Sequence, residues 1–398
     1  MPSWKRNLAI LWIAQFFAMS ALSSVVPFLP LFVRELGAAT LEATAFWSGL
    51  VFAAPFMVSL FLTPVWGNLG DRYGQKLMTV RAVFGLSLSL LLMWFTTSPL
   101  ELVFYRILQG AMSGFYPAAI ALAAVNTPKD KTGYALGVVQ SANTSGNIVG
   151  PLIGGFLADV AGFRMVFVIS GILIGFIGFL ILFFLEDNQQ RDTSVERHTL
   201  KENLSFTFTQ SEILRACIIM LAASLSISVI RPVFVLYIES FGYTKSYLPT
   251  VAGAVLSLIG LFSAISSLKF SKKLDKGKTL EIFRTAILIV SLMYFSQFFI
   301  EDIYFLVVTS SILGLGAGIV FPSIFSIISR NTPYERQAGI LGIASSYQTL
   351  GHLIGPLIAG FASGLAGIRS VFLIATFFSI IILILTSKNK NNPRDTNS

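Results

Sequence analysis

Three side chains that can carry a charge lie inside apolar stretches of the sequence: Arg106, Arg231 and His352. An arginine in hydrocarbon costs about 2.5–3.5 kcal/mol on insertion scales, so a functional role is the default interpretation. A guanidinium group donates to anions and carbonyl oxygens, and an imidazole can exchange a proton near neutral pH. Each residue also has a structural alternative: Arg106 bonding to carbonyls, Arg231 snorkelling to its helix end, and His352 bonding across a close helix contact.

Acidic residues are missing from the interior of every apolar stretch and occur only at their ends and in loops. A cavity formed by these stretches is therefore expected to be neutral to positive, which favours a neutral or anionic small molecule. A polycarboxylate such as a siderophore fits that expectation, and so does a range of neutral hydrophobic compounds, given 36 phenylalanines. The candidate polar wall residues, which can also serve as interhelical hydrogen-bonding groups, are Gln15, Asn143, Tyr347 and Gln348.

The composition identifies the elements that must position these residues. The chain has 398 residues, of which 55% are hydrophobic and 12% charged, with a mean hydropathy of +0.77. A soluble domain has about 25% charged residues, so this is a polytopic membrane protein. We predict an all-α fold of twelve transmembrane helices, at roughly 8–33, 46–66, 77–96, 99–124, 133–157, 165–185, 213–238, 248–268, 280–300, 303–327, 337–361 and 368–386.

The net charge of +9 reflects orientation in the bilayer. With the N-terminus in the cytoplasm, 22 of the 28 Lys and Arg residues lie in inner loops, tails and the adjoining helix ends. This bias predicts that both termini are cytoplasmic, with the lipid bilayer and not nucleic acid as the partner. The first span is longer than the roughly 7–15 apolar residues of a signal peptide and stays in the mature protein. The single cysteine, Cys217, excludes an internal disulfide.

The two halves of the chain repeat each other at an offset of 205 residues. Pro27 matches Pro232, and the loop Asn126-Thr127-Pro128 recurs as Asn331-Thr332-Pro333. We therefore predict two six-helix bundles, 1–185 and 213–387, joined by a cytoplasmic linker, 186–212, and followed by a disordered tail, 388–398. Repeats of this kind place a substrate site near the bilayer midplane, between two halves that rock against each other.

A glycine stripe is part of the repeat. Gly146, Gly150 and Gly154 recur every four residues, which allows a second helix to approach closely, and Pro151 bends the helix. We expect this stripe and its copy to form the seam about which the halves move. The whole set, counting the adjacent glycine and the second copy, is Gly146, Gly150, Pro151, Gly154, Gly155, Gly351, Gly355 and Pro356.

The loop after the second span reads Gly67-Asn68-Leu69-Gly70-Asp71-Arg72-Tyr73-Gly74-Gln75-Lys76. Gly67 and Gly74 are expected to allow a tight turn. An acid at this position can cap a neighbouring helix N-terminus. The candidate gating residues in this loop are Gly67, Asp71, Arg72, Gly74 and Lys76.

These motifs resemble those of the major facilitator superfamily. The loop is similar to its G-x-L-a-D-r-x-G-r-k signature, the stretch from Arg106 to Gly110 to its R-x-x-q-G motif, and the glycine stretch to the g-x-x-x-G-P-x-x-G-G motif of its drug:proton antiporters. Three departures stand out. Gln75 replaces a basic residue, Arg106 has Ser311 in place of a twin, and the second loop copy, near 274–277, is degraded.

The resemblance implies a bacterial inner-membrane exporter that exchanges a small molecule for protons, acts as a monomer and needs no cofactor or metal. It also implies a role for Arg106 in proton coupling or substrate binding. No GxxxxGK, GxSxG or HExxH motif is present, which argues against ATP as the energy source and against an enzyme. The main alternative is a proton symporter that imports a metabolite, and a more distant one is a membrane receptor that transports nothing.

Overall fold

The computed structural model of the chain describes residues 3–128, 131–186, 199–242, 247–274 and 279–387. Its first half contains helices α1 (Ser3–Ser24), α2 (Leu29–Glu35), α3 (Leu41–Tyr73), α4 (Gln75–Met93), α5 (Pro99–Ala111), α6 (Phe115–Asn126), α7 (Thr132–Ala161) and α8 (Phe163–Phe184). The rest contains α9 (Leu200–Thr209), α10 (Ser211–Ser228), α11 (Phe234–Glu239), α12 (Leu248–Leu274), α13 (Thr279–Phe299), α14 (Ile303–Arg330), α15 (Gln337–Ala366) and α16 (Ser370–Ser387).

Eleven helical stretches among the described residues are long and apolar enough to cross a membrane. The remaining predicted span corresponds to α7, which is 30 residues long. Its many glycine, serine and asparagine residues lower its hydropathy, although they leave its length sufficient for a bilayer. The packing of α7 between other spans therefore identifies it as a membrane span more clearly than its own composition does.

Each half of the chain has its own hydrophobic core. One cluster of buried residues runs from Leu8 to Leu185, and the other from Ile213 to Ile382 with Ala45 added from the first half. The repeat is visible in single hydrogen bonds: the Ser23 hydroxyl donates to the Gly146 carbonyl at 3.1 Å, and Ser228 donates to Gly351 at 2.7 Å. The chain thus forms two pseudo-symmetric bundles.

The predicted linker contains a helix. α9 begins with a capping box between Thr199 and Glu202, which satisfies two backbone N–H groups. It packs on α10 and α15, where Arg336 stacks on Phe206 at 4.8 Å. Residues 187–198 of the linker, the second loop copy at 275–278 and the tail 388–398 lie outside the described residues.

Three of the predicted spans are broken, where we expected continuous helices. The first breaks at Val25–Phe28 and the seventh at Val229–Val233, which are equivalent positions in the repeat, and the fourth breaks at Met112–Gly114. Apolar periodicity alone does not reveal such breaks. They are stable here because residues of all three breaks line a cavity, described below, in which the freed backbone groups avoid lipid.

We expected the glycine stripe to form the seam between the halves, but the structure places it elsewhere. A Cβ atom at Gly146 or Gly154 would overlap the backbone of α1, and one at Gly351 would overlap α10, so both stripes pack inside their own bundle. Of the first stretch, Gly155 and Pro151 reach the other bundle, where they meet Pro249 and Gly253. The stripe therefore packs within its own bundle, whereas Gly155, next to the stripe, contacts the other bundle at the seam.

The seam itself consists of α3 against α15 and α7 against α12. We call the face that carries Ser3 and Ser387 the terminus face, and the opposite face the distal face. Near the distal face the seam glycines, such as Gly49, meet backbone of the other bundle. Toward the terminus face, four glycines of the same helices have no neighbouring atom within 4 Å of a Cβ position, and these are Gly67, Gly133, Gly137 and Gly342; the two others there, Gly70 and Gly339, meet Gln75 and Asn203 and not a seam helix of the opposite bundle. The bundles are therefore closed at the distal face and separated at the terminus face.

The stripe generates a first prediction. Gly154→Ala places a methyl group against the Ser24 backbone, an overpacking that costs about 1–3 kcal/mol. Gly137→Ala is the matched control, because it lies on the same helix with open space beside it and gains helix propensity. We expect a lower melting temperature in detergent for the first variant and an unchanged or higher one for the second. Equal melting temperatures would contradict the packing described.

Candidate functional site

A cavity of about 650 Å³ lies between the two bundles, within the size range of small-molecule sites. Its lining is mostly apolar and comes from both halves, with Phe52 and Phe56 on one side and Phe234 on the other. The larger polar side chains that line it are Arg106, Gln109, Asn147, Arg231, Tyr294 and Gln297. No Asp or Glu is among the described residues of the lining.

Arg106 lines this cavity from α5. Gly110 has no side chain, so α5 lies directly against the Pro55 carbonyl of α3. This close approach lets the Arg106 Nε donate to the Val51 carbonyl at 3.2 Å, while Nη1 donates to the Gln109 Oε1 at 2.6 Å. The Arg106 guanidinium therefore bonds to a backbone carbonyl, as the structural alternative expected, and the residue also lines the cavity.

Arg231 lines the opposite wall, and it lies in the break between α10 and α11 instead of on a continuous helix. The structure gives its guanidinium no hydrogen bond or ion pair with a described residue, and the side chain is exposed to the cavity. It interacts electrostatically with Tyr294 of α13. Because Arg231 lies beside the cavity, it does not need to snorkel to the helix end.

His352 stands behind the cavity wall. Its ring lies 5.4 Å from that of Phe56, which does line the cavity, and its Nδ1 has no partner among the described residues. The twin position in the first half, Asn147, faces the cavity directly. The histidine is thus separated from the cavity by one side chain in this conformation.

The other predicted wall residues do not belong to this cavity lining. Gln15 is buried and donates to the Asn143 Oδ1 at 3.3 Å, which joins α1 to α7. Tyr347 and Gln348 are half-buried on α15, and Tyr347 packs against the core of the second bundle. Of the seven predicted pathway residues, the structure brings Arg106 and Arg231 to the cavity.

Four lining residues were missed by the prediction. Gln109 belongs to the R-x-x-q-G motif, and Asn147 lies one helical turn after Asn143 and is equivalent to His352. Tyr294 and Gln297 are three residues apart in an otherwise apolar span, so they lie on one helix face. Each signal was present in the sequence, but none distinguished a cavity wall from a helix interface.

The predicted gating loop is shorter than expected. α3 continues through Gly67, and the turn occurs at Gly74 alone, whose φ of 107° requires glycine. Gln75 then begins α4 and packs under Gly70. Arg72 is exposed and stacks on Tyr73, Lys76 lies in the first turn of α4, and the side chain of Asp71 lies outside the described part.

A bidentate ion pair closes the distal face. Arg34 at the end of α2 donates to both carboxylate oxygens of Glu239 at the end of α11, each at 2.8 Å. Hydrogen bonding to Glu239 raises the pKa of the Arg34 guanidinium above its ordinary value, so the arginine stays charged. On the same face, the Asp159 carboxylate accepts from the Thr250 backbone N–H at 2.9 Å and thereby joins α7 to α12. These contacts link opposite bundles and must separate if the cavity opens at this face.

Two helical bundles around a central cavity, closed at one face and apart at the other, have the architecture of a membrane transporter built from repeated halves. The Major Facilitator Superfamily model matches residues 11–352 and 216–397. The multidrug resistance protein MdtG of Salmonella arizonae is 31% identical over 370 residues, which is 93% of this chain and 92% of MdtG. The multi-drug resistance efflux pump PmrA homolog of Lactococcus lactis is 31% identical over 382 residues, 96% of this chain and 94% of its own.

Comparison with a solved structure shows which known fold the chain shares. The bacterial homolog to the human lysosomal transporter Spinster, in its inward-facing and occupied conformation, superposes with a TM-score of 0.79 at 13% identity, covering 100% of this chain and 99% of that one. The chain belongs to the major facilitator superfamily. The predicted family and all-α membrane fold are confirmed, and the chain is a multi-pass membrane transporter for a small molecule.

The ion pair yields a second prediction. Spin labels at Ala39→Cys and Ser240→Cys, both exposed at the distal face, report the separation of the bundles. Arg34→Glu or Glu239→Arg alone should shift the distance distribution toward longer values. Because the pair is partly exposed, we expect a change of about 0.2–1 kcal/mol in the balance of conformations. The double variant restores the opposite charges and should restore the short distance; a double variant as open as the singles would contradict this.

Proposed function

We propose that the protein is a proton-coupled exporter of drug-like small molecules that are neutral or anionic. The observation that carries this proposal is the charge of the cavity: it offers Arg106 and Arg231, and no described acidic side chain lines it. Such a lining attracts neutral and anionic molecules and disfavours cations. The mostly apolar remainder suits amphipathic compounds of varied shape.

The relatives support export as the direction. Two proteins that match this chain over nearly their whole length are named for multidrug resistance, one of them as an efflux pump. Those names favour drug-like cargo over the siderophore that the charge argument also admits. An importing symporter has no comparable observation in its favour.

The positive-inside bias supports a bacterial inner membrane with the terminus face in the cytoplasm. In that orientation the cavity is accessible from the cytoplasm, where an exporter loads its cargo, and the Arg34–Glu239 pair closes the outer side. Each bundle has its own core and the cavity is complete within one chain, which supports a monomer as the working unit.

The energy source in this proposal is the proton gradient, with no cofactor. Export against a gradient then uses proton entry, worth about 2.3 kcal/mol per 100 mV. His352 is the candidate proton carrier, because an imidazole can exchange a proton and its Nδ1 lacks a partner among the described residues. The Phe56 ring between His352 and the cavity would have to rotate for the proton to pass.

A third prediction tests cargo charge. Inverted membrane vesicles with an acid lumen are supplied with 2-naphthoate, its neutral amide or 2-naphthylmethylammonium. Uptake into the lumen is measured as the excess over vesicles that lack the protein, which subtracts passive trapping of the amine in the acid lumen. We expect the carboxylate and the amide to accumulate and the ammonium compound to accumulate least. Arg231→Ala should reduce carboxylate uptake about tenfold or more, the loss of one charge-assisted hydrogen bond.

Val26→Ala is the matched control, since Val26 occupies the position equivalent to Arg231 and also lines the cavity. It should transport all three compounds like the wild type. Carboxylate uptake that survives Arg231→Ala, or a wild type that prefers the ammonium compound, would remove the basis of the charge argument. Uptake that persists after the pH gradient is collapsed would remove proton coupling.

A fourth prediction concerns the proton. His352→Asn reproduces the residue at the twin position, Asn147, so helix packing should tolerate it. If His352 carries the proton, the variant still binds cargo but no longer accumulates it when the pH gradient is imposed. Exchange of labelled cargo at equal concentrations on both sides should continue, because exchange needs no net proton movement. Full accumulation by the variant would assign His352 a structural role.

A further inference from the structure

The break between α5 and α6 is a feature of the first bundle alone. α5 ends at Ala111, and Gly114, with φ of 107°, precedes α6. The equivalent helix of the second bundle, α14, runs without interruption from Ile303 to Arg330, although its Pro322 matches Pro117. Neither the shared proline nor the symmetry of the fold requires the break, so the first bundle has it for a reason of its own.

Two of the carbonyl groups at the break accept hydrogen bonds from side chains. The Trp66 Nε1 donates to the Ala111 carbonyl at 2.9 Å, and the Arg81 Nη2 donates to the Ser113 carbonyl at 2.7 Å. The Arg81 guanidinium also stacks on the Trp66 ring at 3.6 Å. Side chains of α3 and α4 therefore satisfy the Ala111 and Ser113 carbonyls.

Several side-chain donors at the break are not satisfied. Gln109 is 4% exposed, and its Nε2 has no partner among the described residues, while its Oε1 accepts from Arg106. The Ser113 hydroxyl and the Arg81 Nε and Nη1 atoms are buried and equally without partners. α6 begins with no side-chain cap on its N-terminal N–H groups. A buried donor without an acceptor destabilises the folded chain, and several lie together here.

The place of the break fits a ligand. Gln109, Gly110 and Ser113 line the central cavity, so the N-terminus of α6 begins beside the cargo space. The N-terminus of an interrupted helix carries a partial positive charge and favours an anionic group. Every free group at this point donates hydrogen bonds, and no acidic residue among those described lines the cavity to compete.

We propose that the α5–α6 break is the subsite for an oxyanion headgroup, a carboxylate, sulfonate or phosphonate, of the transported molecule. Gln109, Ser113 and the first N–H groups of α6 bind its oxygens, with Arg106 supplying positive charge from the adjacent turn. The apolar remainder of the cargo lies against the phenylalanines of the cavity. The inference rests on the proposed function only in taking the cavity as the cargo site.

The test is equilibrium binding to the purified full-length protein in nanodiscs at neutral pH, with no gradient. The probes are 2-naphthoate and 2-naphthamide, which share a ring system and differ in the charge of the headgroup. We expect the wild type to prefer the carboxylate. Ser113→Ala and Gln109→Leu should each weaken carboxylate binding about tenfold and leave the amide affinity within about twofold.

Two further variants separate binding from folding. Ser311→Ala on α14 removes a hydroxyl that is not in the cavity lining and that donates to the Val307 carbonyl, so this variant should bind both probes like the wild type. Ser113→Thr keeps the hydroxyl and should retain carboxylate preference. Equal loss of both probes in Ser113→Ala, or equal affinity of the wild type for carboxylate and amide, would overturn the proposal.

A titration with inorganic phosphate distinguishes the headgroup from a free anion. Phosphate alone should compete with naphthoate weakly and not with the amide. Tight phosphate binding that is lost in Ser113→Ala while naphthoate binding is kept would assign the break to a free anion and overturn the cargo proposal. Gradient-driven uptake of the neutral amide does not depend on this subsite. Absence of that uptake would therefore count against the proposed export function and not against the subsite.

Discussion

The constraint on which the rest of this structure depends is that backbone polar groups cannot be left unpaired in hydrocarbon. Irregular backbone is tolerated in a membrane only where it faces protein or water. The three breaks in the spans obey this rule, because Val26, Ser113 and Arg231 all line the central cavity. The positions of the breaks therefore mark the central cavity independently of any side-chain chemistry.

Close backbone contacts hold each bundle together. The long spans between the breaks are joined by glycine contacts with no side chain between the backbones, as at Gly146 and Gly351. Serine hydroxyls such as that of Ser23 use the spare acceptor capacity of neighbouring carbonyls. Across the seam, the described glycines meet backbone of the opposite bundle toward the distal face, as at Gly49.

Much of this architecture could be predicted from the sequence, since hydropathy and the 205-residue offset act over long stretches. The family resemblance rested on three motifs and was equally accessible. What could not be predicted was local. The glycine of a turn, such as Gly74 or Gly114, and the glycine of a close helix contact, such as Gly110, are identical as letters. Their roles differ only in φ and in what lies within 4 Å, and both quantities depend on tertiary packing.

The site residues show the same division. Arg106 and Arg231 could be found because a charge in an apolar span is costly and demands an explanation. Gln15 carries a smaller cost, and a hydrogen bond to Asn143 accounts for it without reference to cargo. Tyr294 and Gln297 line the cavity from α13. The helical period shows that these two polar residues share one face of α13, but it does not show whether that face points inward.

The ion pair at the distal face bears on the ancestry of the molecule. Arg34 and Glu239 are separated by 205 residues, the length of the repeat, so they are the same position in its two copies. In an ancestral dimer of identical subunits, that position would set arginine against arginine or glutamate against glutamate, and the charges would repel. The attraction between them could arise only once gene duplication had given the two copies separate sequences that could diverge.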